Sequence, residues 1–126
     1  MFNHVEKRGC KRFQIPTADS KYKKTGLLSF KNKHTRVASV RDISKRGLSF
    51  TCDENLRKGQ KLNVQLIVPN EKPIDLYSQV CWAEQGVGCT LYTVCIKFMP
   101  FGKSRGYNPV ETLDALRGLE EKYLSN

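Results

Sequence analysis

Two short segments of the chain hold the side chains best suited to chemistry. Arg8 and Arg12 stand four apart in Arg8-Gly9-Cys10-Lys11-Arg12, and Asp42, Ser44 and Gly47 are spaced through Asp42-Ile43-Ser44-Lys45-Arg46-Gly47. Guanidinium groups grip phosphate oxygens through paired donors, stack on bases and meet the acceptor edge of guanine. Asp42 and Ser44 bring the opposite polarity: an ionised carboxylate only accepts and a hydroxyl does either, which suits the ring N–H and amino donors of a guanine. Gly47 permits a tight turn or a close backbone approach. Together the two segments offer what a small anionic purine ligand requires. Each residue also has a blander account. Two arginines in a basic stretch are unremarkable alone, Asp42 and Ser44 are common turn-stapling residues, and Gly47 suits a turn.

The elements around these residues follow from periodicity. Residues 1–12 have basic side chains around Gly9 and no sustained apolar period, so they read as a flexible basic arm that takes order from a ligand. Residues 13–105 read as short strands: Phe13 to Ala18, Gly26 to Lys31, a turn at Asn32-Lys33 into Thr35 to Ile43, then Leu48 to Cys52, Leu62 to Val68, Ile74 to Glu84 and Cys89 to Phe98. Val37, Ser39 and Arg41 alternate with Ala38, Val40 and Asp42, the period of a sheet with two faces, and Val80 shares a face with Trp82. Strands at this spacing without intervening helices predict an antiparallel barrel or sandwich. Residues 106–126 change period. Asn108 suits an N-cap, Pro109 the first helical position and Glu111 the positive end of the helix dipole. Val110, Leu113, Leu116, Leu119 and Tyr123 form one apolar stripe, expected to cover an open barrel end.

The chain's 126 residues suit one domain, and 39% hydrophobic with 27% charged residues is ordinary for a soluble globular protein. No apolar run is long enough for a membrane helix, and the basic N-terminus lacks a signal peptide's apolar stretch, so a cytoplasmic protein without membrane insertion is expected. Residues 1–46 hold 13 Lys and Arg against 3 acidic residues, a balance of +10, while residues 47–126 hold 9 of each sign. The entire excess lies in the motif-bearing portion, where it steers anions. Cys10, Cys52, Cys81, Cys89 and Cys95 are odd in number and lack the close-paired spacing of a zinc site, so they read as buried or partly buried thiols.

The ordered pair Arg-x-x-x-Arg and Asp-x-Ser-x-x-Gly resembles the signature of PilZ domains, receptors for cyclic di-GMP. The likeness extends over the arm, the strands, Val80-Cys81-Trp82, Ile96-Lys97-Phe98 and the terminal helix. The resemblance implies a six-stranded antiparallel PilZ-type barrel with a C-terminal α-helix, an all-β domain whose arm folds over cyclic di-GMP. Arg8 and Arg12 then contact phosphate and guanine, while Asp42, Ser44 and Gly47 shape the guanine site. Lys7, just before the first arginine, occupies a place associated in the family with an intercalated pair of ligands, so one or two molecules are expected. Lys7 is a point charge rather than a planar fork and stacks less well than arginine. Arg46 is a further candidate ligand contact, adding positive potential as does Lys45. Cys95 departs from the glycine common two residues before the basic residue and phenylalanine, and it either narrows the pocket or points into the core.

With seven residues before Arg8, the expected output is local: ligand orders the arm and changes affinity for a separate, unidentified protein. No cofactor, metal or catalytic residue is expected, since His4 and His34 lie in polar surroundings and no Ser or Cys sits in a nucleophile motif. The alternative is a non-specific nucleic-acid-binding β-barrel, in which the basic excess tracks a backbone while Phe13 or Tyr22 stacks bases. Nucleic acid is the weaker reading, because it makes no use of Asp42.

Overall fold

A computed structural model describes residues 12–24 and 36–124. Its strands are β1 (Asp19–Lys24), β2 (Arg36–Ile43), β3 (Gly47–Cys52), β4 (Lys61–Ile67), β5 (Ile74–Gln85) and β6 (Tyr92–Phe98), followed by the helix α1 (Val110–Leu124). The strands close in the order β1-β2-β3-β6-β5-β4, with every pairing antiparallel. The six-stranded antiparallel barrel with a C-terminal helix is borne out.

Period-two alternation builds the interior. Leu48, Phe50 and Cys52 of β3, Leu62, Val64 and Leu66 of β4, and Val94, Ile96 and Phe98 of β6 all point inward. Tyr22 stacks on Phe50 at 5.5 Å between ring centroids, and its hydroxyl donates to Glu54 Oε1 at 2.8 Å. Burial and that hydrogen bond raise the Tyr22 pKa well above the ordinary tyrosine value.

β1 is a correction to the sequence reading, which expected a strand from Phe13 to Ala18. Pro16 and Thr17 instead turn the chain, with Ala18 N–H donating to Ile15 O at 3.0 Å. The strand forms in the charged stretch that follows, because Ser20 and Tyr22 point inward between outward-facing Asp19, Lys21 and Lys23. The expected strand from Gly26 to Lys31 and the turn at Asn32-Lys33 lie outside the described residues.

Helix α1 packs on the barrel through Leu116 and Leu119, as the stripe predicted. Asn108 does something other than cap it. Its fully buried side chain accepts from Tyr77 N–H at 2.7 Å and donates to Tyr77 O at 3.0 Å and Met99 O at 2.8 Å, tying the helix entry to β5 and the end of β6. No helix among the described residues is long and apolar enough to cross a membrane.

Candidate functional site

The outer face of the barrel has one cross-strand row that gathers the polar chemistry. Asp42 lies opposite Ser49, Ser49 opposite Cys95, and Cys95 opposite Trp82, so the row crosses β2, β3, β6 and β5. Both outer strands break register here. In β2 the extra residue is Arg41, between Val40 and Asp42, and in β5 it is Cys81, between Val80 and Trp82. A bulge sets two residues against one and reverses the alternation beyond it. Strict alternation would place Asp42 with Val40, on the core side, and Trp82 with Val80. The bulges turn both outward: Val80 is 2% exposed and Trp82 46%. This corrects the expectation that Asp42 shares a face with Val40 and Trp82 with Val80.

The root of the basic segment is pinned beside this row. Phe13 N–H donates to Ile43 O at 2.8 Å and Ile43 N–H to Phe13 O at 2.9 Å, while the Phe13 ring is buried in the core. That bridge sets Arg12 next to Asp42, where Nη1 donates to Oδ1 at 3.1 Å. Ser49 Oγ donates to the same Oδ1 at 3.0 Å. Among the described residues nothing donates to Asp42 Oδ2, which leaves an outward acceptor beside a guanidinium and in line with an exposed indole. Because both partners of the ion pair are partly exposed, it contributes only about 0–1 kcal/mol and is easily exchanged for a ligand. Arg8 and Lys7 lie outside the described residues.

The Asp42-to-Gly47 corner is fixed by Ser44. Its hydroxyl accepts from Arg46 N–H at 3.1 Å and Gly47 N–H at 3.3 Å, and Ser44 N–H donates to Gly47 O at 2.8 Å. Gly47 meets the backbone of β6: a Cβ there would stand 2.0 Å from Ile96 O. Its missing side chain therefore lets β3 and β6 pair closely at Gly47 and Lys97. Arg46 is exposed, and its carbonyl accepts from Phe98 N–H at 2.8 Å. Lys45 reaches Glu120 of α1 at 3.8 Å. Arg41 adds a further cation to this face, with Nη1 donating to Thr93 Oγ1 at 3.4 Å.

Sequence reasoning missed Ser49 and Cys81 as members of this face and left Cys95 undecided. Ser49 was findable, since it follows Gly47 by two and so shares its face. Cys95 is half-buried on the outer surface. Its thiol pKa is raised, first by burial and then by the neighbouring Cys81 thiol. Cys52 is buried and Cys81 half-buried, while Cys89 is exposed, which corrects the expectation for that thiol. Among the described residues no group of three or more His, Cys, Asp or Glu is placed to hold a metal. A groove of about 940 Å³ lies elsewhere, between α1 and the start of β5, and shares no residue with this row.

The model of one protein family, the PilZ domain, matches residues 6–101. No curated protein sequence matches. Among solved structures the chain is similar to YcgR from Escherichia coli, determined in complex with c-di-GMP, at 13% identity and a TM-score of 0.62, covering 90% of this chain and 46% of that one. It is also similar to the Bacillus subtilis inhibitor of motility, MotI/DgrA, at 12% identity and a TM-score of 0.58, covering 92% of this chain and 55% of that one. The chain thus spans about half the length of either protein, and at these identities the likeness is one of fold.

Proposed function

From the premise that the chain belongs to the PilZ domain family, we propose that it is a receptor for cyclic di-GMP, with the ligand seated on the row from Asp42 to Trp82. The observation that carries this reading is the outward Asp42 carboxylate, anchored through Oδ1 and open at Oδ2. Oδ2 accepts the ring N–H and amino donors of a guanine, the Trp82 indole offers a stacking surface, and Arg12 turns from Asp42 to a phosphate. Ser44 and Gly47 hold the corner in shape, while Arg8, Arg46 and Lys7 add charge toward the phosphates. Binding of one ligand molecule, or of an intercalated pair, fixes residues 1–12 over this face, and a separate protein distinguishes the covered surface from the open one.

Calorimetric titration of cyclic di-GMP into wild type, Arg12→Ala and Asp42→Ala tests the reading, with GMP and single-stranded DNA as controls. Losing a charge-assisted hydrogen bond costs about 1.5–3 kcal/mol, so each variant weakens binding by roughly 10- to 100-fold. Stoichiometry is read from the same isotherm, and hydrogen exchange with and without ligand reports whether residues 1–12 become protected. A purified protein that gives no heat with micromolar cyclic di-GMP in moderate salt overturns the receptor. Salt-sensitive DNA binding that is indifferent to Asp42→Ala establishes the nucleic-acid barrel instead.

A further inference from the structure

The bulge that turns Trp82 outward also sets Cys81 against Cys95, since two residues of β5, Cys81 and Trp82, oppose the single residue Cys95 of β6. The residue directly opposite Cys95 is Trp82, and Cys81, next to it in the bulge, comes within side-chain hydrogen-bond reach of the Cys95 thiol, so the two sulfurs that a disulfide would join are already neighbours. Both thiols are free and both are half-buried at the barrel surface, so a small oxidant reaches them while bulk contact is limited. Neither thiol is used as a donor or acceptor in the ligand reading above, although Cys95 lies in the row on which the ligand is seated. We propose that Cys81 and Cys95 are an oxidative modification site: peroxide converts them to an intramolecular disulfide across β5 and β6.

The Cys81 thiol gives up its proton, the thiolate attacks one peroxide oxygen, the O–O bond breaks, and the sulfur becomes a sulfenic acid while the departing hydroxide takes up that proton and leaves as water. Cys95 then gives up its proton, its sulfur attacks the Cys81 sulfur, the S–O bond breaks, and a second water departs. Two thiols lose two electrons and two protons, and one peroxide becomes two waters. The raised pKa of Cys95 suits it to the second step, in which a sulfenic acid already in contact drives the reaction, rather than to the first.

The site has a consequence that rests on the receptor reading. Cys95 stands between Ser49 and Trp82 in the proposed ligand row, so a bound nucleotide covers the thiol pair. If only the free form is oxidised, the rate falls by the factor one plus ligand over dissociation constant, roughly tenfold at ligand ten times that constant.

The test uses the full chain with Cys10→Ser and Cys89→Ser, which silences two further thiols. Hydrogen peroxide is added, and mass spectrometry follows the loss of two hydrogens, located by fragmentation and reversed by dithiothreitol. A Cys81–Cys95 bridge that vanishes in Cys81→Ser and in Cys95→Ser is the expected result. Over-oxidation of single cysteines with no bridge overturns the modification site, whatever the nucleotide does. A bridge that forms equally fast under saturating cyclic di-GMP, with binding confirmed by calorimetry, overturns the shielding alone. Absence of calorimetric binding is the failure of the receptor reading and leaves the bridge standing.

Discussion

Replacing Gly47 with alanine separates two explanations of the motif glycine: backbone approach by a ligand, and backbone approach by the neighbouring strand. The added Cβ would stand 2.0 Å from Ile96 O and 3.1 Å from both Ile96 C and Lys97 Cα, where ordinary contact begins at 3.4 Å. All three atoms belong to backbone, so no side chain can swing aside. Relief requires β3 and β6 to part at the Gly47–Lys97 pair, beside the Phe98 N–H to Arg46 O bond at 2.8 Å. Overpacking of this kind costs about 1–3 kcal/mol, and weakening one or two ladder hydrogen bonds adds about 1 kcal/mol each. Alanine's smaller unfolded-state entropy returns about 0.4–1 kcal/mol. The net expectation is a loss of about 2–3 kcal/mol, or roughly 8–12 °C in Tm for a domain of this size. Urea and thermal unfolding of the ligand-free protein measure it. Gly118→Ala is the control: a Cβ there meets nothing within 4 Å and lies in α1, so it stabilises by up to about 1 kcal/mol. If Gly47→Ala without ligand unfolds at the wild-type midpoint, the closeness of β6 is not what requires glycine, and the reasoning fails.

Two further outcomes follow from buried polar groups. Asn108→Ala strips partners from Tyr77 N–H, Tyr77 O and Met99 O, and is expected to cost about 2–4 kcal/mol in urea unfolding; a loss below about 1 kcal/mol would show that Asn108 does not anchor the helix entry. Tyr22, with its folded pKa raised, contributes stability that is complete below the ordinary value near 10 and is lost as pH rises, by up to about 1.4 kcal/mol per pH unit. Tyr22→Phe therefore loses about 1 kcal/mol less than wild type between about pH 9 and about pH 11, and equal losses in both proteins would contradict the shift.

Where local pattern and burial agree, the sequence was sufficient. Leu62 to Val68 alternates cleanly and is β4 within a residue, and the stripe through Leu116 and Leu119 is the buried face of α1. The errors have physical causes. β1 has a surface of lysines, and its inward contribution from Ser20 and Tyr22 gives a faint apolar signal. Pairing with β2 and β4 on both sides makes it a strand nonetheless. Asn108 has the chemistry of a cap, yet its side chain finds three backbone partners on β5 and beyond β6, a competition decided by tertiary contact. Arg12, Asp42, Ser44 and Gly47 were legible as types and spacings, but their division of labour was not. Ser44 and Gly47 shape the corner through contacts with the chain itself, and the open acceptor belongs to Asp42.

The two bulges explain why the face was the hardest part to read. A bulge adds one residue to one strand without a composition of its own, so Val40-Arg41-Asp42 and Val80-Cys81-Trp82 look like uninterrupted alternation. Each bulge reverses facing for everything beyond it, and both fall at the ends of the same cross-strand row. Removing either would return Asp42 or Trp82 toward the core side, burying a carboxylate or forcing an indole among residues such as Val80 and Val94. An unpaired buried carboxylate costs several kcal/mol, which excludes the regular register at Asp42 as firmly as any contact favours the bulged one. The same reversal that exposes an acceptor at one end of the row exposes an aromatic surface at the other. Between them lie the small side chains of Ser49 and Cys95, leaving a shallow floor on which a flat polar ring can lie.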